Sequence, residues 1–120
     1  MTLDQAALKE LHELDADGSS GVLAHIINTC LDESPALIQR INVALAANDS
    51  ATFMREAHSL KASSMSLGAT DVANIANDLE MAGKNNAIAG CHAQVAALAA
   101  AYAATEPMLR TEMTAPGKSA

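Results

Sequence analysis

In the last third of the chain, side chains suited to a core recur at alternating intervals of three and four residues: Ile88, Cys91, Val95, Leu98, Tyr102, Thr105 and Leu109. This spacing draws one stripe along a 3.6-residue helix and is incompatible with the two-residue alternation of a strand. The same rhythm runs through Phe53, Ala57, Leu60, Ser64 and Leu67. Further apolar series follow helical spacing at Val22, Leu23, Ile26, Ile27, Cys30 and Leu31, at Leu37, Ile38, Ile41 and Leu45, and at Val72, Ile75, Ala76 and Leu79. A leading series, Leu3, Ala7, Leu8, Leu11 and Leu14, stops at Asp15-Ala16-Asp17-Gly18. With one Phe, one Tyr and no Trp among 120 residues, the core must be built from Leu, Ile, Val, Ala and Met. Ala, Leu and Met are also strong helix formers. The chain reads as all-α.

The connections set the arrangement. Ser34-Pro35 reads as a cap followed by a first-turn proline, predicting a kink or two nearly collinear helices. Asn48-Asp49-Ser50 is a turn with a helix cap, Gly68 a helix stop, Thr70 the next cap, and Gly83-Lys84-Asn85-Asn86 a loop. Short connections make neighbouring helices antiparallel, and 120 residues suffice for one modest core. The expected fold is an up-and-down antiparallel four-helix bundle with a short additional N-terminal helix. One domain is expected over residues 1–113, followed by a disordered polar tail at 114–120.

Charge and composition exclude several functions. A net charge of −7 leaves no basic stripe for a nucleic acid. The longest apolar stretch, Ala87 to Ala104, is mostly alanine and holds His92 and Gln94, too weak a signal for a membrane partner. Asp4, Lys9 and Glu10 do not fit a signal peptide. Cys30 and Cys91 lack metal-ligand or redox spacing and read as buried, reduced thiols. A cytoplasmic monomer is expected.

One histidine stands apart. At about 100° per residue, the stripe from Phe53 to Leu67 leaves His58 roughly 140° from Phe53, well off the core. Met54, Arg55, Ala62, Met65 and Ser66 share that outward half. Lys61 lies about 60° from His58 and one turn on, near enough for both heads to meet one anion. Small neighbours leave the imidazole reachable by something large, and exposed methionines adapt to a partner's shape. Arg55 and Lys61 against a single acid, Glu56, make the segment locally positive in an acidic chain, which suits a carboxylate-rich partner. The combination points to a histidine acting as nucleophile on a phosphoryl group held by another protein.

The string His58-Ser59-Leu60-Lys61-Ala62-Ser63-Ser64-Met65-Ser66-Leu67-Gly68-Ala69 resembles the signature of histidine phosphotransfer domains of multistep phosphorelays. The likeness extends over residues 3 to 110 and includes Leu31-Asp32-Glu33-Ser34-Pro35, Ala47-Asn48-Asp49 and Asp78-Leu79-Glu80. The resemblance implies that His58 carries the phosphoryl group on Nε2, that Lys61 contacts its oxygens, and that Glu80 bonds Nδ1 from the neighbouring helix. It further implies response-regulator receiver domains and a hybrid sensor kinase as partners. The chain would be a phosphocarrier without a cofactor or metal of its own, Mg²⁺ belonging to the receiver. Lys84 falls where some members carry a second base and reads here as an ordinary surface lysine. Ala62 departs from the usual glycine four residues after the histidine, adding one methyl on the face a receiver would approach.

Two rival readings separate from this one. An interaction module of the same fold would bind a receiver or an enzyme without relaying phosphate, and Ala62 is its one support. A metal site built from His12, His25, His58 and His92 would need ligands from different helices, with no i, i+4 pair among them.

Overall fold

In the computed structural model, the described residues are 22–114 together with Ala6. Among them are four α-helices: α1, Val22–Ala46; α2, Ser50–Ser66; α3, Thr70–Lys84; and α4, His92–Thr114. A short 3₁₀ turn, Ile88–Gly90, precedes α4. Each helix packs on its neighbour in the chain, and α4 closes the ring against α1. The architecture is the expected all-α, up-and-down four-helix bundle, and none of its helices is long and apolar enough to cross a membrane. The additional helix expected near Leu3 to Leu14 lies outside the described residues apart from Ala6. So does the expected tail, save that α4 runs on to Thr114.

The stripes read from the sequence form the core. Phe53, Ala57, Leu60, Ser64 and Leu67 of the second series are all buried. In the last series, Ile88, Cys91, Val95, Leu98, Tyr102, Thr105 and Leu109 are buried likewise. Ile26, Ile38 and Ile75 are only partly covered, each at the edge of its stripe. Both cysteines are buried and unbridged.

Helices α1, α2 and α3 end alike. After each, one residue turns left-handed: Asn48 (φ 54°), Gly68 (φ 73°) and Asn86 (φ 52°). Its own amide and the next one then donate back to carbonyls of the last turn, as in Gly68 N to Met65 O (3.1 Å) and Ala69 N to Ser64 O (2.8 Å). Glycine and asparagine accept positive φ most readily, so these three positions fix the reversals. Asp49 caps α2 by accepting from Thr52 N at 3.1 Å.

Four local expectations are corrected. Ser34-Pro35 does not start a helix, because α1 runs unbroken through Pro35. The missing proline amide leaves the Leu31 carbonyl without its helical partner, and the Tyr102 hydroxyl of α4 reaches that oxygen at 3.5 Å. Ser34 is buried and shares a hydrogen bond with Cys30 Sγ at 3.3 Å instead of capping. Thr70 is the first residue of α3 and gives no cap bond; its hydroxyl donates to Gly68 O at 3.3 Å. The last helix starts at His92, with Ile88 in the preceding turn.

The fourth correction concerns Gly83, which lies inside α3 and not in a loop. A Cβ built there would sit 2.7 Å from Met54 Cβ and 2.9 Å from Met54 Cα. Glycine is therefore what lets the end of α3 touch the backbone of α2. Helix propensity favours alanine over glycine by about 1 kcal/mol, but the clash involves backbone that cannot rotate away. Gly83→Ala is expected to destabilise the fold by about 1–3 kcal/mol, measured by chemical denaturation; a stabilised variant would mean that the two helices separate freely.

Candidate functional site

Close approach of α2 and α3 brings three side chains of the expected site together. His58 lies on the outer face of α2, its side chain 61 % exposed. Glu80, on α3, is buried, its side chain only 7 % exposed. His58 Nδ1 and Glu80 Oε2 are 3.0 Å apart. Lys61, one turn beyond His58, places Nζ 2.7 Å from the other carboxylate oxygen, Oε1. Lys84 adds a weaker contact, Nζ at 3.8 Å from Oε2.

A buried carboxylate is costly unless it is paired. The hydrogen bond from Lys61 is the leading cause that holds the Glu80 carboxyl below its usual range. The bond to His58 acts in the same sense, and together they outweigh the desolvation that would raise it. An ionised Glu80 only accepts hydrogen bonds, so the proton of a neutral imidazole belongs on Nδ1 and the Nε2 lone pair is left free.

The Lys61 ammonium is turned to α3, where it meets Glu80 Oε1 and donates to Asn77 Oδ1 at 3.4 Å. His58 lines a shallow recess with Ala51, Met54, Arg55, Glu80 and Lys84. Lys61 instead borders a groove between α2 and α3, with Met65, Gly68, Thr70, Asn74 and Asn77 among its walls.

The five outward candidates divide likewise. Met54 and Arg55 belong to the His58 recess. Met65, 60 % exposed, belongs to the Lys61 groove. Ser66 faces a third groove between α1 and α2, beside His25, Cys30 and Glu33. Ala62 is exposed. Met54 is half-buried because its backbone and Cβ lie against Gly83. Glu56, the single acid of the segment, is paired with Arg40 of α1 at 3.1 Å.

Two residues carry more of this site than the sequence reading gave them. Lys84 is not merely a surface lysine: four residues after Glu80, it stands over the same carboxylate, a spacing that could have indicated the pair. Asn77, three residues before Glu80, was not singled out at all. Among the described residues, no cluster of three or more His, Cys, Asp or Glu side chains could hold a metal ion.

An exposed imidazole, held through Nδ1 by a buried carboxylate on the neighbouring helix of a four-helix bundle, defines a helical module built around one surface histidine. The sequence model of the Hpt domain matches residues 25–107, and the chain belongs to the Hpt domain family. Two solved structures share its fold. The crystal structure of histidine-containing phosphotransfer protein B from Pseudomonas aeruginosa PAO1 matches with a TM-score of 0.82 at 22 % identity, over 92 % of this chain and 93 % of that one. The HPT domain from the Hpt sensor hybrid histidine kinase from Shewanella matches with a TM-score of 0.70 at 21 % identity, over 92 % and 94 %. No curated protein matches the sequence.

The Glu80 pairing carries a pH signature. A carboxyl held below its ordinary value of 4.5 contributes stability that is fully present above that value. The contribution is lost as pH falls through the lower, folded-state value. Urea midpoints measured from pH 6 down to pH 2.5 should therefore fall more steeply in the parent than in Glu80→Gln. Parallel curves would show that Glu80 is not held as described.

Proposed function

We propose that the chain is a phosphocarrier that accepts a phosphoryl group on His58 Nε2 from a receiver-domain aspartyl phosphate and hands it to a second receiver. The observation that carries this reading is the 3.0 Å contact between His58 Nδ1 and buried Glu80, on a ring that is otherwise exposed. Membership of the Hpt family supports it.

In the forward step, the Nε2 lone pair attacks phosphorus, the P–N bond forms, and the P–O bond to the aspartate breaks with its electrons left on the carboxylate. The Nδ1 proton stays on its bond to Glu80, which steadies the positive charge that develops on the ring. The reverse step uses the same geometry with a second receiver. Such transfer is largely positioning and charge neutralisation. The chain supplies nucleophile and orientation; the receiver supplies the aspartate and its Mg²⁺. Arg55 and Lys84, which line the recess with His58, are the cations nearest the incoming group on that side, whereas Lys61 would have to leave Glu80 to meet it. The partners proposed are response-regulator receivers and a hybrid sensor kinase, and the place of action is the cytoplasm.

His58→Gln should abolish acid-labile labelling by a phosphorylated receiver while helical content and melting temperature change little, since an exposed ring leaves no cavity. Retained labelling would assign the nucleophile elsewhere. The outcome also separates the relay from a pure docking module, which takes no label even in the parent.

Ala62, exposed one turn from His58, tests the docking face. Ala62→Gln should weaken receiver binding and slow transfer together with the fold intact, whereas Ala62→Gly should transfer at least as fast and lose roughly 0.5–1 kcal/mol of helix stability. Single-turnover transfer beside thermal melts gives both readings. Unchanged transfer by Ala62→Gln would place the docking face elsewhere.

A further inference from the structure

The Lys61 ammonium lies between two acceptors on one face of α3: Glu80 Oε1 at 2.7 Å and, one turn earlier, Asn77 Oδ1 at 3.4 Å. The other carboxylate oxygen carries His58 at 3.0 Å and Lys84 at 3.8 Å. The two oxygens of Glu80 thus have separate duties, one set by Lys61 and one by the histidine. A lysine stem is long and flexible, and a carboxylate alone would let the ammonium wander over both oxygens. A second acceptor beyond Oε1 biases it to the side away from the ring.

We infer that Asn77 is a positioning residue of this site: it parks the Lys61 ammonium on Glu80 Oε1, so that the buried carboxylate stays charged and its Oε2 is left to His58. The inference rests on reading His58 as the nucleophile. Its chemical point is the choice of ring nitrogen. A neutral Glu80 carries an O–H and can donate to Nδ1, which moves the ring proton to Nε2 and removes the attacking lone pair. Desolvation pushes a buried carboxyl in that direction. The groups that oppose it are Lys61 and His58 from α2 and Lys84 on α3, with Arg55 lining the same recess. Of these, Lys61 makes the shortest contact, and Asn77 is the second acceptor on its ammonium.

The test is a double-mutant cycle on the unphosphorylated chain, read by ¹³C NMR titration of the Glu80 side-chain carboxyl. Asn77→Leu should raise the Glu80 midpoint by about half a pH unit, the size of one weak hydrogen bond to a neutral acceptor. Lys61→Met should raise it by roughly one to two units. In the Lys61→Met background, Asn77→Leu should add nothing, because its effect passes through the ammonium. Lys61→Arg, which keeps the charge, should stay near the parent. Equal shifts from Asn77→Leu in both backgrounds, or none in either, would overturn the inference. Should the double variant fail to fold, Asn77→Leu alone decides: an unmoved midpoint rejects the role. No phosphoryl transfer enters the measurement, so failure of His58 as a relay residue would show separately, as labelling retained in His58→Gln or absent from the parent.

Discussion

The contact on which the site depends is the one between a buried carboxylate and the ammonium laid across it. Glu80 stands on the covered side of α3, where an unpaired charge would be expelled or neutralised. Lys61 offsets that cost, and once the carboxylate is tolerable there it can do what a solvated acid could not, namely fix one nitrogen of an exposed ring. Everything upstream serves this register. Leu60 and Ala57 bury the inner face of α2 and Leu79 and Ala76 that of α3. Gly83 and Met54 bring the helices together near the histidine, and Gly68 makes the reversal that places α3 beside α2. The site is a product of helix packing more than of any single catalytic segment.

Much of this was legible in the chain, because the signals involved are local and periodic. Phe53, Ala57, Leu60, Ser64 and Leu67 obey one wheel, and the same wheel turns His58 outward. What could not be read was whatever depended on a neighbouring helix. Gly83 has the local appearance of a loop residue, and only Met54 opposite explains its place within α3. Pro35 has the local appearance of a helix start, and only Tyr102, across the bundle, explains why the helix tolerates it. Lys61 reads as a free cation beside the histidine, yet its ammonium is turned onto α3. The family resemblance placed Glu80 on His58; the residues alone gave no means to tell a buried glutamate from a solvated one at a helix end.

The division of the outward residues among three recesses also bears on how a partner could engage this surface. A ligand entering the His58 recess meets Arg55 and Lys84, whereas one lying along the groove beside Lys61 meets Met65, Asn74 and Asn77. The first is lined by Glu80 as well as by the two cations and the ring, the second by Lys61 among uncharged side chains. A protein face that covers α2 would close both at once, with Ala62 exposed between His58 and Ser66 on the same helix.

The tyrosine that reaches across to α1 has a consequence of another kind. Tyr102 is the sole tyrosine of a chain without tryptophan, so it dominates the ultraviolet emission of the protein. Its hydroxyl is buried at the seam of α1 and α4, and burial pushes its pKa up to about 12. A phenol held protonated in this way supports the fold below its ordinary value of 10 and ceases to do so as pH climbs toward 12. Ionisation of this one chromophore is therefore resisted where α4 lies against α1, on helices that do not line the recess around the histidine. The molecule carries its one phenolic chromophore at the closure of the bundle, away from the face that presents His58.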